Sequence, residues 1–172
     1  GSPDLAEYPD LAAPGFHPER APESSAKALI LASGAEQIGL TGPGELNGAG
    51  QAFYERPERR EKFEKPPSPR PRLVMFYQCR GVRIEDVVCV DAACWTFWLM
   101  QCEDVSIHRV RVRGDRRMRN MDGVDLDACR NVTVSDCVFE TEDDCLVLRA
   151  IQRVYDAPAI CAFFPVAFFQ VS

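Results

Sequence analysis

Apolar and polar residues alternate with a period of two in three stretches of the chain: Val82-Arg83-Ile84, Val105-Ser106-Ile107 and Val132-Thr133-Val134. Each sits in a longer copy of one pattern. Gln78-Cys79-Arg80-Gly81-Val82-Arg83-Ile84-Glu85-Asp86-Val87 aligns with Gln101-Cys102-Glu103-Asp104-Val105-Ser106-Ile107-His108-Arg109-Val110. Both align with Ala128-Cys129-Arg130-Asn131-Val132-Thr133-Val134-Ser135-Asp136-Cys137, at offsets of 23 and 27 residues. Alternation at period two predicts strands. No helical pattern of ten or more residues separates the copies, so strand–helix–strand units do not fit. Strand units recurring every 20-odd residues predict a parallel β-solenoid, each coil about 4.8 Å above the last, with cysteine stacked on cysteine and valine on valine inside. The rival, a sandwich of hairpins, favours two-residue Asn-Gly or Asp-Gly turns. Only Asn47-Gly48 and Asp122-Gly123 qualify. The expected fold is therefore all-β.

The rest of the chain divides around this repeat. Residues 1–27 form a polar, proline-bearing lead without periodicity, and 28–160 form the β-helix domain. Glycine-rich turns, Thr41-Gly42-Pro43-Gly44 and Asn47-Gly48-Ala49-Gly50, break its first short strands. A charged, proline-rich loop, 55–72, interrupts it; glutamates every three residues could form a short helix ending before Pro66, and the loop reads as a solvated excursion. Residues 161–172 are an atypical apolar tail.

Composition then removes several classes of function. The 172 residues carry 20 Lys+Arg against 26 Asp+Glu, a net charge of −6, which argues against a nucleic-acid partner. No apolar run is long enough to span a membrane. Residues 1–23 lack the charged start and apolar stretch of a leader, so localisation stays open. Of eight cysteines, Cys79, Cys102 and Cys129 lie in alternating apolar segments and read as buried thiols, with disulfides the lesser alternative. There is no Cys-x-x-Cys pair and the two histidines, His17 and His108, stand apart, so no metal and no cofactor is expected.

Two groups of carboxylates stand out. Asp122 precedes Asp143 by 21 residues and Asp144 by 22, close to one coil. In a solenoid that spacing brings the three onto neighbouring rungs of one face. Like charges so close cannot all ionise, and at least one pKa rises. Such a set supplies an acid and a base at one pH, as glycosidic cleavage requires, although by themselves these residues fit polar turns at least as readily. Adjacent strand residues point to opposite faces, so Asp143 and Asp144 serve together only where the backbone bends.

The segment from about 28 to 160 resembles glycoside hydrolase family 28, the polygalacturonases and rhamnogalacturonases. Leu40-Thr41-Gly42-Pro43-Gly44-Glu45-Leu46-Asn47-Gly48-Ala49-Gly50 is similar to the family's Gly-x-Gly-x-Ile-Asp-Gly-x-Gly pattern, and Arg70-Pro71-Arg72-Leu73-Val74 to an Arg-Pro segment after its first long loop. Asn120-Met121-Asp122-Gly123 resembles the Asn-Thr-Asp-Gly signature, with Met for Thr. Thr141-Glu142-Asp143-Asp144-Cys145 resembles Gly-Asp-Asp-Cys, with Glu for Gly. The resemblance implies a right-handed parallel β-helix acting on pectic polysaccharide with inversion at the anomeric carbon. Carried across, Asp143 is the general acid, Asp122 and Asp144 hold and deprotonate the attacking water, and Asn120 binds in the site. An extracellular or periplasmic setting is implied, and no metal.

The resemblance stops after Ile160. The family's later Gly-His-Gly and Arg-x-Lys motifs are missing: no histidine follows His108 and no lysine follows Lys65. The chain therefore reads as a truncated or frame-altered piece, weak or inactive as written. A non-catalytic carbohydrate-binding β-helix is the alternative function. A pectate-type lyase, which generally wants calcium and a basic catalytic residue, fits the carboxylates less well.

Other features read as structural. Arg109, Arg111 and Arg113 alternate with valines on an expected solvent face, and Trp95, Phe97 and Trp98 are expected to fill the coil interior or flank rather than stack on sugar. His108 is expected to be solvated. Asn131-Val132-Thr133 is a glycosylation sequon, meaningful only in a eukaryotic secreted chain. A monomer is expected, with self-association through an uncapped helix end unless the phenylalanine-rich tail covers it.

Overall fold

The computed structural model describes Ser2, 4–20, 25–55, 61–66, 69–149, Val154, Asp156 and 167–169. Its strands are β1 (Ala28–Ser33), β2 (Gly39–Asn47), β3 (Arg72–Tyr77), β4 (Arg80–Val90), β5 (Phe97–Met100), β6 (Glu103–His108), β7 (Arg111–Arg113), β8 (Val124–Asp127), β9 (Arg130–Ser135), β10 (Val138–Glu140), β11 (Leu146–Arg149) and β12 (Ala167–Phe169). These strands pair in parallel with the strand one coil away, as a β-helix requires. One sheet stacks in the order β1-β3-β5-β8-β11. The other is split lengthwise: β4 runs round a corner, so Arg80–Glu85 pair with β6 while Val88–Val90 pair with β7. The result is a three-faced coil.

The repeat found in the sequence is the register of these sheets. Val82, Val105 and Val132 stack, as do Ile84, Ile107 and Val134, and all six are buried. Val74, Phe97 and Val124 fill the interior from the other sheet. At the corner between them, Cys79, Cys102 and Cys129 form the expected column. The sulfur of the neighbouring coil and then burial hold the Cys79 and Cys102 thiols above their ordinary range, and burial pushes Cys89 up to about 12. All seven cysteines among the described residues are free thiols, which favours that reading over disulfides; Cys161 lies outside the described residues.

Corners carry left-handed backbone at stacked positions: Gln78, Gln101 and Ala128 (φ 51 to 52°), and Asp86, Arg109 and Asp136 (φ 51 to 59°). Outside the corners polar side chains join successive coils. Gln78 Nε2 donates to Gln101 Oε1 (2.9 Å), and Arg109 bonds Asp86 through two nitrogens (2.6 and 2.8 Å). Arg109, Arg111 and Arg113 are exposed, as expected for a solvent face. His108 faces outward but is not merely solvated: its Nδ1 lies 2.8 Å from Ser135 Oγ and 3.2 Å from Asp136 Oδ2.

Two expectations need correction. The lead, though polar overall, buries Leu11 and Phe16 against Met75, Tyr77, Trp98 and Met100 on the outside of the first sheet. It covers the outward side chains of β3 and β5, which would otherwise be an exposed apolar patch. The loop of 55–72 is more than a solvated excursion, because Phe63, Arg70 and Arg72 are buried. Its expected short helix falls largely on residues outside those described, and 61–66 are not helical. In the tail, the backbone of β12 pairs with β9 and adds a strand to the second sheet; the remaining tail residues lie outside the described set.

Ile107, fully buried between Ile84 and Val134, tests the stacking. Ile107→Ala should lower unfolding stability by about 2–5 kcal/mol, read as a shift in urea midpoint at constant slope. A loss comparable to that of an exposed site would mean the coils do not stack as described.

Candidate active site

The candidate residues lie where two successive coils enter the first sheet. Asn120 and Asp122 immediately precede β8, and Asp143 and Asp144 precede β11. The ladder continues through them: the Gly123 N–H donates to the Asp144 carbonyl (2.9 Å), and the Thr96 N–H to the Asp122 carbonyl (2.9 Å). Asp122 and Asp144 are therefore brought side by side by strand register. Gly123 is needed for this approach, since a Cβ there would collide with the Cys145 carbonyl oxygen and lie 2.8 Å from the Phe139 ring.

The bend required between Asp143 and Asp144 is present. Thr141 Oγ1 donates to the Asp143 carbonyl (2.8 Å), and the Asp144 N–H donates to Asp143 Oδ1 (3.0 Å), closing a tight turn. Carboxylate oxygens of Asp122, Asp143 and Asp144 consequently lie within 4.8 Å of one another. Asp122 is buried, and the other two are exposed. Asn120 joins them, its Nδ2 3.4 Å from Asp143 Oδ2 and its Oδ1 accepting from Arg70 Nη2 (3.0 Å). All four sequence-predicted residues thus come together. Three oxygens so placed have the donor chemistry for a hard cation. Carboxylates sharing a proton form the same arrangement.

Burial, then Asp125 and Asp143, push the Asp122 carboxyl up to about 8. Asp125 is raised to about 7 by burial, against the pull of Arg149 and Arg72. The sequence reading missed this second layer. Asp125 and Asp127 are fully buried on the outward side of β8. Arg149 of β11 reaches both, Nη2 2.7 Å from Asp125 Oδ1 and Nε 3.3 Å from Asp127 Oδ2, and Trp98 Nε1 donates to Asp127 Oδ2 (3.1 Å). The guanidinium of Arg149 lies 4.1 Å from the Trp95 ring centre, and that of buried Arg72 lies 4.5 Å from the same ring and 4.9 Å from Trp98. Phe97 fills the interior and Trp98 the flank, as expected, while Trp95 is partly exposed and stacked with two arginines. The signal was available in Val124-Asp125-Leu126-Asp127, where alternation puts two acids on one face of a strand.

The sequence profile of a family described as glycosyl hydrolases family 28 matches residues 18–160. An exopolygalacturonase of Arabidopsis thaliana is 27% identical over 129 residues, covering 73% of this chain and 30% of that protein. The crystal structure of a hyperthermoactive exopolygalacturonase from Thermotoga maritima superposes with a TM-score of 0.68 at 22% identity, over 87% of this chain and 40% of that one. The polygalacturonase of Erwinia carotovora gives 0.64 at 15%, over 88% and 42%. These two likenesses establish the right-handed parallel β-helix. The chain spans 24–30% of the length of the first relatives it matches.

The raised carboxyls fix a pH dependence. In the folded chain Asp122 and Asp125 hold protons that the unfolded chain releases above about pH 4, so stability falls as pH rises from there through about 7 to 8. Asp86, Asp104, Asp115 and Asp156 act oppositely. Hydrogen bonds from Arg109, Asn131, Arg117 and Arg20 respectively hold them low, so their contribution is lost on acidification below about pH 4. The thermal midpoint should be highest in mild acid and fall by several degrees towards pH 8.5, and Asp125→Asn should flatten that fall. A midpoint that climbs over the same range would contradict the burial of these groups.

Proposed function

Because the chain belongs to family 28 of the glycosyl hydrolases, we propose that it serves hydrolysis of glycosidic bonds in pectic polysaccharide, with Asp122, Asp143 and Asp144 as the reacting carboxylates. The observation that carries this reading is the trio itself, one buried carboxyl beside two exposed ones, all within 4.8 Å. A relative and structural neighbours described as polygalacturonases and exopolygalacturonases supply the substrate class.

Hydrolysis needs a proton for the leaving oxygen and a base for the attacking water. Asp143, exposed at the turn tip and held by Asn120, meets the leaving oxygen. Asp122, kept neutral at pH 7 by burial, positions the water, and Asp144 takes its proton. The raised Asp122 carboxyl thus moves the base role, which the resemblance divided between Asp122 and Asp144, towards Asp144.

Inverting enzymes keep their two carboxyls roughly 6.5–9.5 Å apart to admit water. The 4.8 Å here is a distance between nearest oxygens, which sets no limit on the separation of the carboxyl groups, so the anomer first formed is what distinguishes inversion.

The test is release of reducing ends from polygalacturonate by the full chain, with the first-formed anomer read by proton NMR. Asp143→Asn and Asp144→Asn should each lower the rate at least about 100-fold with little change in thermal midpoint. Binding without turnover would overturn the reading in favour of a carbohydrate-binding β-helix, and an unsaturated product in favour of a lyase.

A further inference from the structure

We infer that Glu142 and Lys62 form a clasp that positions Asn120 and Asp143, making Glu142 a positioning residue of the site. This deepens the hydrolase reading and, for its kinetic part, rests on it. Glu142 stands where the resembled signature has glycine, yet its side chain is only 5% exposed. Such burial of a carboxylate requires partners, and both its oxygens have them. Oε2 accepts the Asn120 backbone N–H (2.8 Å), while Oε1 pairs with the Lys62 ammonium.

Each partner is itself fixed. Asn120 occupies left-handed backbone (φ 58°), a conformation that costs energy unless its surroundings hold it. Glu142 holds it from the N–H side, and Arg70 Nη2 from Oδ1 (3.0 Å), leaving Nδ2 aimed at Asp143. Lys62 arrives on 61–66, far away in sequence. That segment is pinned next to the lysine: Phe63 is buried 5.3 Å from the Tyr54 ring, its N–H donates to the Arg117 carbonyl (2.8 Å), and its carbonyl accepts from Arg119 Nε (3.0 Å). Lys62, Lys65, Arg119, Asn120, Glu142 and Asp143 line one pocket of about 490 Å³. The clasp thus joins a loop of an early coil to the acid of a late one and forms one wall of the pocket where Asp143 works. Glycine at 142 would leave the Asn120 N–H, and with it the direction of Nδ2, unheld.

Hydrogen–deuterium exchange on the full chain tests the clasp without relying on activity. Glu142→Gly and Lys62→Met should each speed exchange of 61–66 and of the Asn120 amide at least fivefold. Exchange in the interior column of Val105 and Ile107 should not change. The double variant should be no faster than Glu142→Gly alone. On polygalacturonate, Glu142→Gly should lower kcat about tenfold with KM within twofold, and Glu142→Gln, which keeps an acceptor for the Asn120 N–H, should restore most of it. Unchanged exchange in both single variants would overturn the clasp. Altered exchange with unchanged kcat in an active chain would overturn the positioning role. Altered exchange in a chain that shows no hydrolysis would uphold the clasp and count against the hydrolase reading instead.

Discussion

Every coil of this protein is one strand thick, and none has a core of its own. Each inward side chain must accept its counterpart one rung above and below. That constraint accounts for the columns of Val82, Val105 and Val132 and of Ile84, Ile107 and Val134, whose members differ by no more than a methylene. It accounts as well for the tolerance of different coil lengths. The insertion before β3 and the longer connection before β8 leave the columns intact, because extra residues loop out at corners and rejoin in register.

The same constraint creates the site. Stacking serves apolar residues inside the coil, and outside it the same register places Asp122 against Asp144. A structure selected for stability alone would separate these charges or pair them. Here the strained corner at Asn120 and the tight turn at Asp143 hold them together. Left-handed backbone recurs at other corners of the coil, so what sets this end of the sheet apart is the meeting of the carboxylates.

Much of this was legible in the sequence because period two and a near-constant offset survive whatever surrounds them. The strands, the columns and the meeting of Asp122, Asp143 and Asp144 follow from spacing, and Asn120 from the resemblance. What spacing could not show is whether an outward residue reaches water. Asp125 and Arg72 look like solvent-facing charges until the lead folds Leu11 and Phe16 over the neighbouring Met75 and Trp98. Nor does spacing reveal Lys62 beside Glu142, since their contact depends on the path of a loop rather than on register. Both omissions concern residues joined across unrelated parts of the chain.

The covered layer explains the protonation of the site. Asp122, Asp125 and Asp127 are three carboxylates removed from water, and they share two guanidiniums, those of Arg72 and Arg149. Three negative charges facing two positive ones leave one uncompensated. A buried charge without a partner is relieved most readily by taking up a proton. Asp127 has Trp98 and Arg149, and Asp125 has Arg149 at 2.7 Å. Asp122, beside Asp143 and Asp144, is pushed up to about 8, while Arg149 and Arg72 pull Asp125 back to about 7, so Asp122 keeps its proton to the higher pH of the two. The aromatic ring of Trp95 between the two arginines keeps both cations in place despite their like charge. On this argument the raised Asp122 carboxyl follows from its burial and from the charge balance of the sheet's outer face, reached through the strand that follows it, while Asp143 and Asp144 stay exposed.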